Sequence, residues 1–143
     1  MHNLISYKSI FIFFTKNLQK SGLKESCELT FKNVFSTIKK DTKKNPFSIF
    51  KKSLDLSRPF CEIKSIKVSG NSHKIPVEIS INRQKILVCR WILSNSFKNS
   101  NNLTANLTEE IINTSKLISK TIKICDEFHN IADSNKIYIK FKN

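Results

Sequence analysis

The side chains best suited to chemistry in this chain are basic, and the chemistry that they favour is phosphate binding. Six of them fall within residues 62–91: Lys64, Lys67, Lys74, Arg83, Lys85 and Arg90. The guanidinium of Arg donates in a fork that matches two phosphate oxygens, whereas the ammonium of Lys acts as a point charge. Arg83 and Arg90 are seven residues apart, about two helical turns, so a helix would place them on nearly one face. Such a cluster suits a phosphate backbone better than a small substrate.

The elements that must position these residues are a predicted β-hairpin and the helix after it. Two short segments rich in β-branched residues flank a Ser/Gly/Asn turn segment, which predicts a hairpin at about residues 62–80. Pro76 has no N–H to donate to a ladder, so its strand is predicted to lie at an edge. Gly70 is predicted to adopt a positive φ in the turn.

The remainder of the chain shows apolar residues at helical spacing. The helices are predicted over residues 4–20, 23–40, 46–58, 83–97, 103–118 and 126–139. Asn45 before Pro46 is typical of a capped helix start, and Asn82 is the predicted cap of the helix that follows the hairpin. With no internal repeat and no long Gly/Ser linker, we expect residues 1–143 to form a single domain. Its fold should be mainly α, with about six helices in an irregular bundle and a protruding two-stranded β-hairpin.

The charge of the chain indicates a polyanionic partner. It has 25 Lys and Arg against 11 Asp and Glu, a net charge of +14. So large a charge on a small body repels itself unless a partner neutralises it, and nucleic acid fits best. An anionic membrane surface is the second possibility, disfavoured because the charge is spread over every element rather than over one amphipathic helix. A DNA-binding helix-turn-helix is disfavoured by the hairpin between the helices, and a Lys-rich but merely soluble surface is the remaining alternative.

An enzyme is not indicated by any group of residues. The acidic pairs Glu109–Glu110 and Asp126–Glu127 are adjacent, and adjacent helical side chains point apart. The three His residues show no metal-ligand spacing, and two Gly residues could hardly build a nucleotide-binding loop. We therefore expect no catalysis, no cofactor and no metal. The four widely spaced Cys residues are interpreted as small hydrophobes in a reducing compartment, with disulfides as the alternative in a secreted protein.

Residues 46–92 resemble the family of ribosomal protein seven of the small subunit. The residues that carry the resemblance are Pro59, Glu62, Ser65, Val68, Gly70, Pro76, Val77, Glu78, Arg83, Arg90 and Trp91. The resemblance resumes in the last predicted helix at His129, Ala132, Asn135 and Lys136. The sequence departs from the family at Ile66, Ser80 and Gln84, where relatives usually carry Arg.

The resemblance implies binding to small-subunit ribosomal RNA in the head, the 3′ major domain, and a role in head assembly during translation. The hairpin would reach toward the exit-site tRNA and the mRNA channel, and neighbouring head proteins would be partners. RNA contacts are then expected from the basic residues above and from both ends of the chain. The added residues are Lys8, Lys16, Lys20, His129, Asn135, Lys136 and Lys140. Trp91 is interpreted as a packing residue, because its neighbours are apolar.

The composition also bears on location. Abundant Ile, Asn, Lys and Phe with scarce Gly and Ala are typical of an AT-rich genome, which favours a mitochondrial ribosomal protein made inside the organelle. A plastid or a bacterial cytoplasm is the alternative. The apolar run at residues 10–14 is too short to cross a bilayer, which takes about 20 residues. Relatives commonly carry an Arg-rich arm before the first helix and a tail after the last, so contacts from such segments are expected to differ here.

Overall fold

The computed structural model describes residues 7–19, 22–68, 70–97 and 102–141. The elements run in the order α1 (Tyr7–Leu18), α2 (Lys24–Thr42), α3 (Pro46–Leu56), β1 (Cys61–Val68), β2 (Asn71–Glu78), α4 (Ile81–Phe97), α5 (Leu103–Ser115), α6 (Lys120–Ser134) and a closing 3₁₀ helix (Lys136–Phe141). Within these residues the fold is mainly α with one antiparallel hairpin, which confirms the predicted class. No helix in these ranges is long and apolar enough to cross a membrane.

The core is built from the apolar stripes of α1 to α5. Phe14 of α1 is fully buried and meets Phe31 of α2 at 5.4 Å and Phe50 of α3 at 5.1 Å between ring centroids, both edge to face. Aromatic pairs favour this geometry because a positive ring edge meets a negative ring face. Val88 and Ile92 of α4 complete the cluster from the other side. The α4 helix is thus in contact with α1, α3, α5 and α6.

The hairpin forms as predicted, within a residue or two of the expected bounds. Its register pairs Cys61 with Glu78 at the base and Val68 with Asn71 beside the turn. Gly70 has a φ of +87°, the conformation that only Gly adopts without strain. The hairpin packs against α6 through β1 and against the 3₁₀ helix through β2, and Ile75 is only 1% exposed. The hairpin is therefore anchored to the helical body and does not hang from a flexible stem.

Two predicted helix starts have different outcomes. Asn45 caps α3 as expected, since its side chain accepts a hydrogen bond from the N–H of Phe47, and Pro46 occupies the first turn. Asn82 is not a cap, because α4 already begins at Ile81. The hydroxyl oxygen of Ser80 accepts instead from the N–H of Arg83 at 3.4 Å. Ser80, the residue before α4, therefore has the capping role that was predicted for Asn82.

The predicted bounds of the last two helices are wrong. The α5 helix ends at Ser115 and does not reach Ile118, since Leu117 turns the chain with a φ of +64°. The α6 helix begins at Lys120, six residues before the predicted Asp126, and Ser119 caps it by accepting from the N–H of Ile122. It ends at Ser134, so the residues predicted to continue it lie in the 3₁₀ helix. For the first helix, residues 4–6 and 20 of the predicted span lie outside the described residues.

The cysteines and Trp91 mainly serve packing. Cys27 and Cys89 are buried in the core, as expected for small hydrophobes, and Cys125 is buried as well. Burial raises the pKa of the Cys125 thiol to about 11, so it stays protonated at neutral pH. Trp91 packs against Phe128 with 5.0 Å between ring centroids, which agrees with a packing role. The ring is half-buried and not at the fully buried centre.

Candidate nucleic-acid interface

The hairpin presents its three lysines on two faces. Lys67 is paired with Ser72 and Lys74 with Ser65, and paired residues of an antiparallel ladder share a face. Both lysines are exposed and have small hydroxyl residues between them. Lys64 is also exposed, but strand alternation puts it on the opposite face, with its partner Ile75. The positive face of the ribbon is therefore the one that carries Lys67 and Lys74.

Arg83 is engaged by a carboxylate of the hairpin. Its Nε donates to Glu62 Oε2 at 3.1 Å and its terminal nitrogen donates to Glu62 Oε1 at 2.6 Å, a bidentate pair between α4 and β1. These hydrogen bonds lower the pKa of Glu62 below its ordinary value. A lowered folded-state pKa stabilises the protein above the unfolded pKa, and this contribution is lost as the pH falls through the folded value. The guanidinium of Arg83, which was predicted to bind phosphate, thus holds the hairpin against α4.

Arg90 and Lys85 continue the basic side of α4. Arg90 is exposed, two turns after Arg83, and its positive charge contributes to the lowered pKa of Glu62. Lys85 is half-buried, and desolvation together with the nearby charge of Arg58 lowers its pKa. Of these three cations, Arg90 is the most open to a phosphate.

Most of the RNA contacts predicted near the C-terminus lie beyond α6, because this helix ends at Ser134. Asn135 is the C-cap of α6 and its amide donates to the carbonyl of Ile131. Lys136 lies 3.7 Å from the carboxylate of Asp133, and Lys140 is exposed in the 3₁₀ helix. Only His129 lies within α6 itself. The 3₁₀ helix is held against β2 through a stacked pair, His73 on Tyr138, with centroids 4.5 Å apart.

His129 has a structural contact within the protein. Its Nε2 accepts a hydrogen bond from the N–H of Phe60 at 3.3 Å, and the two rings stack with centroids 5.5 Å apart. This contact joins α6 to the residue just before β1. The imidazole is partly exposed, so its predicted RNA contact stays a prediction beside this structural role.

The lysines predicted in the first helix are described only in part. Lys16 is exposed on α1. Lys8 lies in α1, but its side chain is outside the described residues, as is Lys20 entirely.

A second group of exposed lysines lies where α2 ends and α3 begins, outside the predicted set. Its members are Lys39, Lys40, Lys43, Lys44, Lys51 and Lys52. Lys43 closes α2 in the left-handed conformation, with a φ of +54°. The density of Lys in residues 39–52 was the available signal. Across the described ranges, no three His, Cys, Asp or Glu side chains come together as a metal site would require.

Comparison with known proteins agrees with the family resemblance seen in the sequence motif. The family described as Ribosomal protein S7p/S5e matches residues 2–136. The chain belongs to this family. Two relatives are both named small ribosomal subunit protein uS7. The protein from Magnetococcus marinus is 30% identical over 130 residues, covering 90% of this chain and 83% of the relative. The protein from Mycoplasma capricolum is 31% identical over 111 residues, covering 77% and 72%.

Membership of the ribosomal protein seven family confirms the resemblance carried by the hairpin and the Arg90–Trp91 helix. The chain is a structural constituent of the small ribosomal subunit, acts in translation and is not an enzyme. Its partners are ribosomal RNA and ribosomal proteins. Both relatives named above are ribosomal proteins, which supports a ribosomal location. Both are bacterial, and the mitochondrial assignment stays a prediction.

Proposed function

We propose that the interface for ribosomal RNA, within the head of the small subunit, is the hairpin face of Lys67 and Lys74 together with the exposed side of α4. The observation that carries the proposal is the pairing that sets these two lysines on one open face. Arg90 adds an exposed cation on α4, close enough to Glu62 of β1 for its charge to act on that carboxylate. Lys16 of α1 and Lys140 of the 3₁₀ helix are further exposed cations that an extended RNA would reach.

The chemistry of this surface is charge neutralisation. Lysines on a ribbon contact phosphates, which position a protein on RNA but carry no base sequence. Specificity then comes from the shape of a folded RNA junction. Arg83 contributes by fixing the angle between hairpin and α4 through Glu62, so that both parts of the surface meet the same RNA.

The proposal has two finer parts. The hairpin tip lies near the exit-site tRNA and the mRNA channel, a position that the family resemblance implies and that suits the exposed residues 70–72, since none of them fills the core. The protein works in a mitochondrial ribosome, an inference supported by the Lys-, Asn- and Ile-rich composition. Residues 1–143 act as one domain in this setting.

Removing the two hairpin lysines tests the interface directly. The double variant Lys67→Ala, Lys74→Ala should bind a 3′-domain rRNA fragment more weakly at low salt. The slope of log affinity against log salt should become shallower by about 1 for each lysine that no longer neutralises a phosphate. The control is Lys32→Ala, which removes an exposed cation from α2 and should leave the slope unchanged. A double variant that keeps the wild-type slope would show that the hairpin face does not meet phosphate.

Shortening the hairpin tip tests its proposed place near the tRNA. Deleting residues 69–72 and closing the ribbon should leave the helical body folded, because residues 70–72 are exposed and the apolar core lies in α1 to α5. Circular dichroism and rRNA affinity should change little, whereas tRNA binding at the exit site of reconstituted subunits should weaken. Loss of the helical signal in the shortened protein would instead make the turn part of the folding core.

A further inference from the structure

A cavity of about 420 Å³ opens between the end of α3, the residue before β1, α4 and α6. This volume is near the small end of the roughly 300–1,000 Å³ range of small-ligand sites. Residues that line it include Leu56, Arg58, Phe60, Gln84, Asp126 and His129. We call it the Phe60 pocket.

Phe60 is the unusual residue of this pocket. It is 75% exposed, so burial of apolar surface does not hold its ring in place. Its backbone N–H nevertheless donates to His129 Nε2 at 3.3 Å, and its ring stacks on the imidazole at 25° between planes. Two contacts to a helix 69 positions away in the chain thus hold an open aromatic surface. An exposed ring that is held in place can serve as a stacking platform for a flat ligand.

The other walls of the pocket match a flat heterocycle with polar edges. Leu56 contributes apolar surface, and the amide of Gln84 offers both a donor and an acceptor. Asp126 adds an acceptor, and Arg58 is a donor that is already paired with Asp55. Stacking on an aromatic ring with hydrogen bonds to the base edges is how proteins read unpaired bases of RNA.

The position of the pocket connects it to the proposed RNA surface. Lys85 of α4 lies close enough to Arg58 and Asp55 of the pocket wall for their charges to act on its pKa, so the pocket opens beside a basic residue of that helix. We propose that the Phe60 pocket takes one unpaired nucleobase of the bound rRNA, stacked on Phe60 and hydrogen-bonded by Gln84 and Asp126. This inference rests on the proposed rRNA interface and adds a base-specific contact to a surface that otherwise contacts only phosphate groups.

A cationic side chain of a neighbouring protein is the rival occupant. The pocket does not favour it, because the carboxylates of Asp55 and Asp126 are balanced by Arg58 and by Lys85, whose pKa responds to both Arg58 and Asp55. A guanidinium or ammonium would therefore meet no net negative charge. A neutral base carries no charge for these cations to repel.

The variant Phe60→Ala tests the platform. Its affinity for a transcript of the 3′ domain of small-subunit rRNA should fall about 5- to 150-fold at every salt concentration. The salt slope should stay that of the wild type, because the slope counts phosphates and a stacked base releases no counterions. Phe60→Tyr keeps the ring and should restore most of the affinity. Leu29→Ala, at a site on α2 that is 59% exposed, controls for the loss of a surface hydrophobe.

Chemical probing of the complex gives a second measurement. One unpaired base should be protected from dimethyl sulfate by the wild type and by Phe60→Tyr, and become reactive with Phe60→Ala, while the hydroxyl-radical footprint of the backbone stays the same. Equal affinity and equal base protection for Phe60→Ala and wild type would overturn the inference. So would a Phe60→Ala variant that binds RNA normally but fails to recruit other head proteins in reconstitution, since the pocket would then dock protein. A wild type that does not bind the transcript would instead overturn the proposed interface.

Discussion

Raising the salt concentration from about 50 to 200 mM should weaken binding of the whole protein to a 3′-domain rRNA fragment by a factor of roughly 10³ to 10⁵. That range belongs to proteins that make about 6–10 phosphate contacts. A net charge of +14 on 143 residues, with exposed cations on α1, the hairpin, α4 and the 3₁₀ helix, can supply that number. Each neutralised phosphate releases a condensed counterion, and the entropy of that release falls as the bulk salt rises.

The experiment is a series of affinity measurements at fixed pH, with circular dichroism at each salt concentration to show that the fold is unchanged. An unrelated folded RNA of equal length serves as control. It should give a similar slope and a lower affinity at every point, because charge sets the slope while the shape of the junction sets the preference. An affinity that stays constant over this range would contradict charge neutralisation as the mechanism.

The elements that could be predicted from the sequence are those whose signal is local. Gly70 in a polar turn between β-branched segments specifies the hairpin, and its positive φ follows from the turn. Asn45 and Pro46 specify the start of α3 because both act within one helical turn. In each case the interactions that determine the local structure join residues only a few positions apart.

The helix bounds that were predicted wrongly depend on a choice between neighbouring residues that could each begin the helix. Both Ser80 and Asn82 are able to cap a helix, and Ser80 does so here because α4 begins at Ile81. The first turns of α6 were missed because Lys120 and Lys123 interrupt the apolar pattern. There, Thr121 is fully buried and receives a hydrogen bond from Asn95 at 3.1 Å, a polar contact that a hydrophobic pattern does not reveal.

The candidate site was predictable as a region but not as a set of contacts. Basic residue type and spacing located the hairpin and α4, whereas the pairing of Arg83 with Glu62 joins positions 21 apart. The bond from Phe60 to His129 spans 69 positions. A single sequence holds no signal for such pairs, since each partner would be equally plausible as a solvated or RNA-facing residue.

Truncating Phe31 should cause a large loss of stability. Phe31→Ala is expected to lower the free energy of unfolding by about 3–5 kcal/mol, the usual cost of removing a buried Phe ring. Phe31 is fully buried, and its ring meets Phe11 and Phe14 of α1, each at 5.4 Å between centroids. The loss includes both the transfer of the ring to water and the cavity that the rigid neighbours cannot fill. Since domains of this kind have a total of about 5–15 kcal/mol, much of the margin would be gone.

Urea denaturation followed by circular dichroism measures this loss. Leu29→Ala is the matched control on the same helix, because Leu29 is 59% exposed and its truncation should change stability by no more than about 0.5 kcal/mol. The consequence for function concerns α1, whose Lys16 belongs to the proposed RNA surface and whose position rests on the contact with Phe31. If α1 is held there, Phe31→Ala should also weaken rRNA binding under conditions where the rest of the protein is still folded. A variant with nearly wild-type stability would mean that α1 is not packed on α2 through this ring, and the basic surface of α1 would then need another support.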